Sequence, residues 1–272
     1  MNLNQIHSKA TDLYQEVSSI ALMYFRQSHD NYEQKEESGR LSVVTKADLK
    51  INEVLINKLP EILPGSGVIG EENSLYNKEE YVWIIDPIDG SGNYQKGLDF
   101  WGISISLWKA TDPIYGVLLF PRLVDSMYFG FKGEGVYDQN NKQIKRRSKS
   151  TYKPAFSIES IVPGFSAHML KQDFGQNLSY RATGSTVFDG YNLLRGGYDF
   201  SIIYKLAPWD IGATILLTKE LGYTVDFMNR RLTIGDSKFT EYEHKVYIAK
   251  PDVDPNINKV VSNAIDDFEN KK

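Results

Sequence analysis

The chain has 272 residues, 41% hydrophobic and 24% charged, with a formal net charge of -4 at pH 7. That is the profile of a soluble globular protein, one large domain or two lobes on a shared core, without the basic excess of a nucleic-acid binder. There is no cysteine, which excludes disulfides, thiolate metal sites and a thiol nucleophile.

The opening "MNLNQIHSKATDLYQE" is polar throughout and has no apolar signal-peptide core. No apolar run reaches the ~20 residues that span a bilayer, so a cytoplasmic protein is expected, with no membrane partner. Ile6, Ala10, Leu13, Val17, Ala21 and Tyr24 recur at helical spacing and predict an amphipathic helix over the first thirty residues. "SHDNYEQKEESGRLS" breaks that period and reads as an exposed loop. A second helix is predicted from about Lys46 to Leu59, ending before Pro60. "PGSG" (64–67) is a turn, and "VIGEEN" is a short strand running into acidic residues. "YVWIID" (81–86), "FWGISISLWK" (100–109), "IYGVLLF" (114–120) and "DSMYFGF" (125–131) read as strands of a mostly antiparallel meander. "GEGVYDQNNKQIKRRSKS" reads as a hairpin with a basic exit.

After about Thr151 the pattern changes. "AFSIES", "LSYRATG", "YDFSIIY", "YTVDF" and "KVYIAK" read as strands. "STVFDGYNLLRGG" and "PWDIGATILLTKELG" read as helices, the latter with proline near its start and glycine past its end. Ile257, Val260, Val261, Ala264, Ile265 and Phe268 make a terminal helix. Strands alternating with helices suggest layered α/β structure. The expectation is one compact unit with two sub-regions, 1–150 and 151–272.

The chemistry concentrates in "WIIDPIDGSGNY" (83–94). Asp86 and Asp89 flank Pro87, which suits the second position of a tight turn closing a strand. Both carboxylates and the Ile88 carbonyl then face one point, the oxygen-rich setting that Mg²⁺ prefers. Gly90 lets the backbone turn closely, and Ser91, Gly92 and Asn93 open a helix whose N–H groups suit an anion. Asp-Pro and Asp-Gly are also common turn residues, so this stretch alone reads more readily as plain turn chemistry than as a metal site. "GEE" (70–72) puts Glu71 where a strand opens into a loop, or in a merely solvated one. "PWD" (208–210) puts Asp210 in the first turn of an apolar helix, where a negative charge is favourable in any case.

Four blocks, in order, carry a family resemblance. "VVTKAD" (43–48) is similar to a V-T-x-x-D block and "GEE" to an acidic loop. "WIIDPIDGSGNY" resembles W-x-x-D-P-[IL]-D-G-T-x-N-[FY], and "APWDIGATILLTKELG" (207–222) resembles P-W-D-x-A-A-G…E-A-G. Together they resemble the inositol monophosphatase family of Mg²⁺-dependent, lithium-sensitive phosphatases, over about residues 5–265. The resemblance implies an αβαβα sandwich, usually dimeric, that hydrolyses a small phosphomonoester. It implies that Glu71, Asp86 and the Ile88 carbonyl hold one Mg²⁺, and that Asp86, Asp89 and Asp210 hold a second. A third ion would bind near Glu71. Ser91 matches the threonine that orients or deprotonates the attacking water together with Asp48 and Glu71, and Gly90 and Ser91 offer N–H groups to phosphate. "RATGST" (181–186) resembles a segment whose Gly184 and Ser185 approach the substrate; Ser185 also reads simply as a helix N-cap. Without the family context, Asp48 reads as a surface acid.

The departures bear on substrate. Ser91 keeps the hydroxyl of the family threonine and loses the methyl that stiffens χ1. Ser42 and Glu37 stand near positions where many members carry an aspartate and a lysine. Ile203 stands where inositol-specific members place a glutamate on sugar hydroxyls. The expected activity is therefore a Mg²⁺-dependent phosphomonoesterase on a small sugar or polyol phosphate. The alternatives are a fructose-bisphosphatase, a bisphosphate nucleotidase, or a low-turnover regulatory member that binds RNA or protein through "KRRSKS" (145–150). The four histidines show no paired metal spacing, against zinc.

Overall fold

The computed structural model describes residues 2–25, 32–37, 40–148, 153–160, 162, 164–174, 178–229 and 243–271. The predicted N-terminal helix is α1 (Leu3–Phe25), with Ile6, Ala10, Leu13, Val17 and Ala21 buried. The expected loop after it is instead an antiparallel pair, β1 (Tyr32–Glu37) and β2 (Arg40–Thr45). Its polar sequence hides the extended backbone because no core imposes an alternating pattern. The side chains of Glu37 and Ser42 lie outside the described residues.

Helix α2 (Lys46–Ile62) runs past Pro60 rather than stopping before it. Thr45 caps its start: Thr45 N–H donates to Asp48 Oδ2 at 2.8 Å, and Asp48 N–H reaches Thr45 Oγ1 at 3.4 Å. Then come β3 (Gly67–Gly70), β4 (Ser74–Leu75), β5 (Tyr81–Asp89), the short helix α3 (Ser91–Gln95), β6 (Gly102–Lys109), β7 (Asp112–Leu119), β8 (Met127–Phe131) and β9 (Gly135–Asp138). Strands β3 to β9 form a seven-stranded sheet in the order β4-β3-β5-β6-β7-β8-β9. It is antiparallel except for the β3–β5 pair.

A second, five-stranded sheet follows, in the order β11-β10-β12-β14-β13. Its strands are β10 (Ala155–Ser160), β11 (Ser179–Arg181), β12 (Phe200–Leu206), β13 (Thr224–Phe227) and β14 (His244–Ala249). Between them lie α4 (Phe165–Met169), α5 (Thr186–Leu194) and α6 (Pro208–Glu220), and α7 (Pro255–Asn270) ends the chain.

Strand alternation explains the layering. Trp83 and Ile85 face one way, into a core with Leu13 and Val17 of α1 and Ile51 and Leu55 of α2. Val82 and Ile84 face the other way, into a core with α5, α6, Ile203 of β12 and Val246 and Ile248 of β14. On the far face of the second sheet, Phe156, Ile158, Phe200 and Ile202 pack on α4 and α7. The order is helix, sheet, helix, sheet, helix: a layered α+β fold with α5 and α6 sandwiched between the sheets. Helix α6 is buried along almost its whole length, as an all-round apolar helix must be. No helix among the described residues is long and apolar enough to cross a membrane.

Candidate active site

In a regular strand Asp86 and Asp89 would point to opposite faces, because side chains alternate with period two. Strand β5 does not end in a tight turn at Asp86, as the sequence suggests; it continues to Asp89 through a break in register. Asp86 pairs with Ser104 and Asp89 with Gly102 on β6. Three steps on β5 thus meet two on β6, which is a bulge, and one extra residue re-aims the side chains that follow. Pro87 falls inside this irregularity, where its missing N–H interrupts no ladder.

The backbone then turns at Gly90, whose φ is 86°. A Cβ there would lie 2.8 Å from the Phe100 carbonyl oxygen and 3.0 Å from Ser185 Cβ, so only glycine fits. Ser91 opens α3 immediately afterwards. The first N–H groups of a helix have no carbonyl partner within it, and those of α3 lie directly beyond Asp89. Asn93 Nδ2 ties this turn to the segment before α5, donating to the Phe100 carbonyl at 2.7 Å and the Thr183 carbonyl at 2.8 Å.

Asp210 arrives from the other side. Strand β12 shifts register between Tyr204 and Leu206, with Lys205 in the left-handed region at φ 57°. Pro208 sits at the first helical turn of α6, and Asp210 Oδ2 accepts the Ala207 N–H at 2.7 Å. The result is that ligand oxygens of Asp86, Asp89 and Asp210 all lie within 4.8 Å of one another. Asp86 and Asp210 are buried and Asp89 half-buried. Asp89 Oδ2 accepts from Ser185 Oγ and from the Val187 N–H.

This cluster is electrostatically unfavourable by itself. Burial first, then the charges of Glu71, Asp89, Asp210 and Asp48, hold the Asp86 carboxyl well above its usual range. Burial also pushes Asp89 up to about 6, against the lowering effect of its hydrogen bonds. Asp86 Oδ1 is buried without a hydrogen-bond partner, which a native fold rarely tolerates. Three convergent carboxylates with an orphaned oxygen fit a hard divalent cation, which reverses these proton preferences.

The remaining expected residues surround the cluster. Asp48 is buried, not a surface acid, and its charge is felt by Asp86. Glu71 follows β3, half-buried, and contributes to the same field. Ile88 is buried within β5. Ser91 and Gly90 occupy the α3 start, and Ser185 both holds Asp89 and caps α5, accepting the Phe188 N–H at 3.0 Å. Gly184 donates its N–H to Glu159 Oε1 at 3.2 Å. Ile203 is buried in the core between the sheets, so its position offers no hydroxyl acceptor. Of the basic run, 149–150 lie outside the described residues; Arg146 pairs with Asp252 at 3.4 Å.

Glu159 and Asp189 escaped the sequence reading, and Asn93 entered it only as a helix-opening residue, without its side-chain tie to the Phe100 and Thr183 carbonyls. The signal for Glu159 was present: it closes the apolar run of β10 and is the register partner of Ile203, just as Glu71 follows β3. Asp189 was masked by its place inside an apolar helical pattern.

The family model described as "Inositol monophosphatase family" matches residues 2–266. A fructose-1,6-bisphosphatase/inositol-1-monophosphatase of Aquifex aeolicus is 29% identical over 244 residues, 82% of this chain and 89% of that protein. An inositol-1-monophosphatase of Bacillus subtilis is 27% identical over 258 residues, 88% of this chain and 93% of that one. Among solved structures, a staphylococcal IMPase-I complexed with products superposes with a TM-score of 0.78 at 18% identity, covering 97% of this chain and 96% of that one. The chain belongs to the inositol monophosphatase family, and it is a phosphatase acting on phosphomonoesters.

Proposed function

We propose that this phosphatase is Mg²⁺-dependent and hydrolyses a small sugar or polyol phosphate. The observation that carries the reading is the convergence of Asp86, Asp89 and Asp210 around an unpartnered, buried carboxylate oxygen. Asp86, Glu71 and the Ile88 carbonyl would hold one ion, and Asp86, Asp89 and Asp210 a second. Bound cations supply an acidified water and positive charge against the phosphate oxygens.

The chain's own groups do the rest. N–H groups at Gly90 and Ser91 seat the phosphate at the start of α3, where unpaired donors favour an anion. Ser91 Oγ, Asp48 and Glu71 orient the attacking water and take its proton. The water oxygen bonds to phosphorus as the ester P–O bond breaks, and the alcohol leaves with a proton. Holding water and phosphate in line is most of the catalytic task in phosphoryl transfer.

Ile203 removes one acceptor for a polyhydroxylated leaving group, which argues against inositol phosphate as the preferred substrate. Relatives whose names join fructose-1,6-bisphosphatase to inositol-1-monophosphatase put sugar bisphosphates on the same panel. A homodimer, lithium sensitivity and a cytoplasmic setting are carried over from the resemblance. The test is phosphate release with Mg²⁺ from inositol, sugar and nucleotide phosphates, comparing wild type with Asp89→Asn. Equal turnover by both would sink the assignment.

A further inference from the structure

We propose that Glu159 and Asp189 are positioning residues for Asp89, acting through the Thr183–Ser185 loop. This rests on the reading of Asp89 as a metal ligand. The loop joins β11 to α5, and its far end is what grips Asp89: Ser185 Oγ and the Val187 N–H both donate to Asp89 Oδ2. Its near end is gripped by the two acids. The Gly184 N–H donates to Glu159 Oε1 at 3.2 Å, and Thr183 Oγ1 lies 2.7 Å from Asp189 Oδ1 and 3.0 Å from the Ser185 carbonyl. Glu159 comes from the second sheet and Asp189 from the helix between the sheets. Three elements thus meet on one short loop.

The two acids also act on each other electrostatically beside this loop. Burial and then the charge of Glu159 hold the Asp189 carboxyl well above the usual carboxylate range. Burial and then the charge of Asp89 push Glu159 up to about 7. Asp189 is buried, and its Oδ2 has no donor pointing at it. Its Oδ1 accepts from Thr183 Oγ1, and Glu159 Oε1 accepts from the Gly184 N–H, so the two acids hold the loop from two sides. A buried acid beside a half-buried one is an expensive way to pack a loop, and the loop they hold is the one that fixes a carboxylate of the metal cluster. Outer groups that orient ligands in this way typically change metal affinity by about 10–100-fold.

The experiment is calorimetric titration of Mg²⁺ into the full chain, with thermal unfolding in chelator and phosphate release alongside. The variants are Asp189→Ala, Asp189→Asn, Thr183→Val and, as a control on the site itself, Asp89→Asn. Asp189→Ala is expected to weaken Mg²⁺ binding about tenfold or more. Asp189→Asn, whose amide oxygen still accepts from Thr183, should restore it to near wild type. Thr183→Val keeps the core volume and cuts the link from Asp189 to the loop; it carries the test if Asp189→Ala does not fold. Wild-type Mg²⁺ affinity in Asp189→Ala or Thr183→Val, with only a lower unfolding temperature, would overturn the positioning role. So would equal loss in Asp189→Ala and Asp189→Asn. If Asp89→Asn itself binds Mg²⁺ normally, the metal-site reading fails instead.

Discussion

Asp86 shows how one residue can require a partner the polypeptide does not supply. Its carboxylate is buried, crowded by four other acids and left with an unbonded oxygen. Asp86→Asn should therefore abolish turnover and weaken Mg²⁺ binding by more than about 100-fold, beyond the usual effect of an outer-shell change. In chelator, the same substitution should leave the unfolding temperature unchanged or raised, because it removes charge repulsion. A fall of several degrees would show that Asp86 serves the fold instead. Ser91 makes a second case: Ser91→Thr restores a χ1-stiffening methyl and should keep or raise kcat, whereas a large loss would mean that the site is built around serine.

The acids also set a pH dependence. Asp86, Asp189 and Glu159 have folded pKa values raised above their unfolded ones, Glu159 to about 7. The folded state binds more protons than the unfolded state in that range, so stability falls as pH rises. His7, lowered to about 4 by burial, works oppositely, but its contribution is complete by its unfolded value of 6.5. The unfolding temperature in chelator should thus fall between about pH 6.5 and 8. The gain from added Mg²⁺ should grow over the same interval, since cations compete with protons for the carboxylates. Thermal scans at several pH values check both; a Mg²⁺ gain that is flat with pH would contradict the account.

At the scale of elements, the decisive object is the bulge in β5. It puts Asp86 and Asp89 to common use although they lie an odd number of positions apart, and Gly90 then swings the chain into α3. Gly90→Ala would meet the Phe100 carbonyl at 2.8 Å and incur about 1–2 kcal/mol for the left-handed conformation. It should lower both the unfolding temperature and kcat; near wild-type values would mean that the turn relaxes freely. The same element shows what was legible beforehand. That Asp86, Asp89 and Gly90 act together was readable from spacing, but a turn and a bulged strand place such residues similarly, and their difference lies in the register with β6. The helices α1 and α7 were readable because each buries a continuous apolar stripe, and α5 and α6 because long apolar runs, buried on nearly all sides, end at glycine. The β1–β2 pair was not, because its strands pair with each other and their polar sequence carries no core alternation. Glu159 and Asp189 were invisible as a pair: their link depends on β10 and α5 meeting at one loop, which no local pattern encodes.

For the whole molecule, the layering makes the site. The first sheet delivers Asp86 and Asp89, the helix between the sheets delivers Asp210, and the second sheet delivers the loop that holds Asp89. A site assembled from separated parts of the chain gains its precision from packing rather than from local sequence. The proposed substrate preference has its test in Ile203, which lies in the core between the sheets. Ile203→Glu puts a carboxylate into the core beside Glu159, so it should lower the unfolding temperature and, in the folded fraction, shift the ratio of kcat/KM toward inositol phosphate. Parallel assays on inositol and sugar phosphates measure that ratio, and an unchanged ratio would remove this residue from the account of specificity. The most direct measurement is Mg²⁺-dependent phosphate release by wild type and Asp89→Asn, with Mg²⁺ affinity measured on both. The account predicts turnover that vanishes in chelator, and a variant that loses both turnover and metal; a variant that hydrolyses the same substrates with wild-type kcat and Mg²⁺ affinity would contradict it.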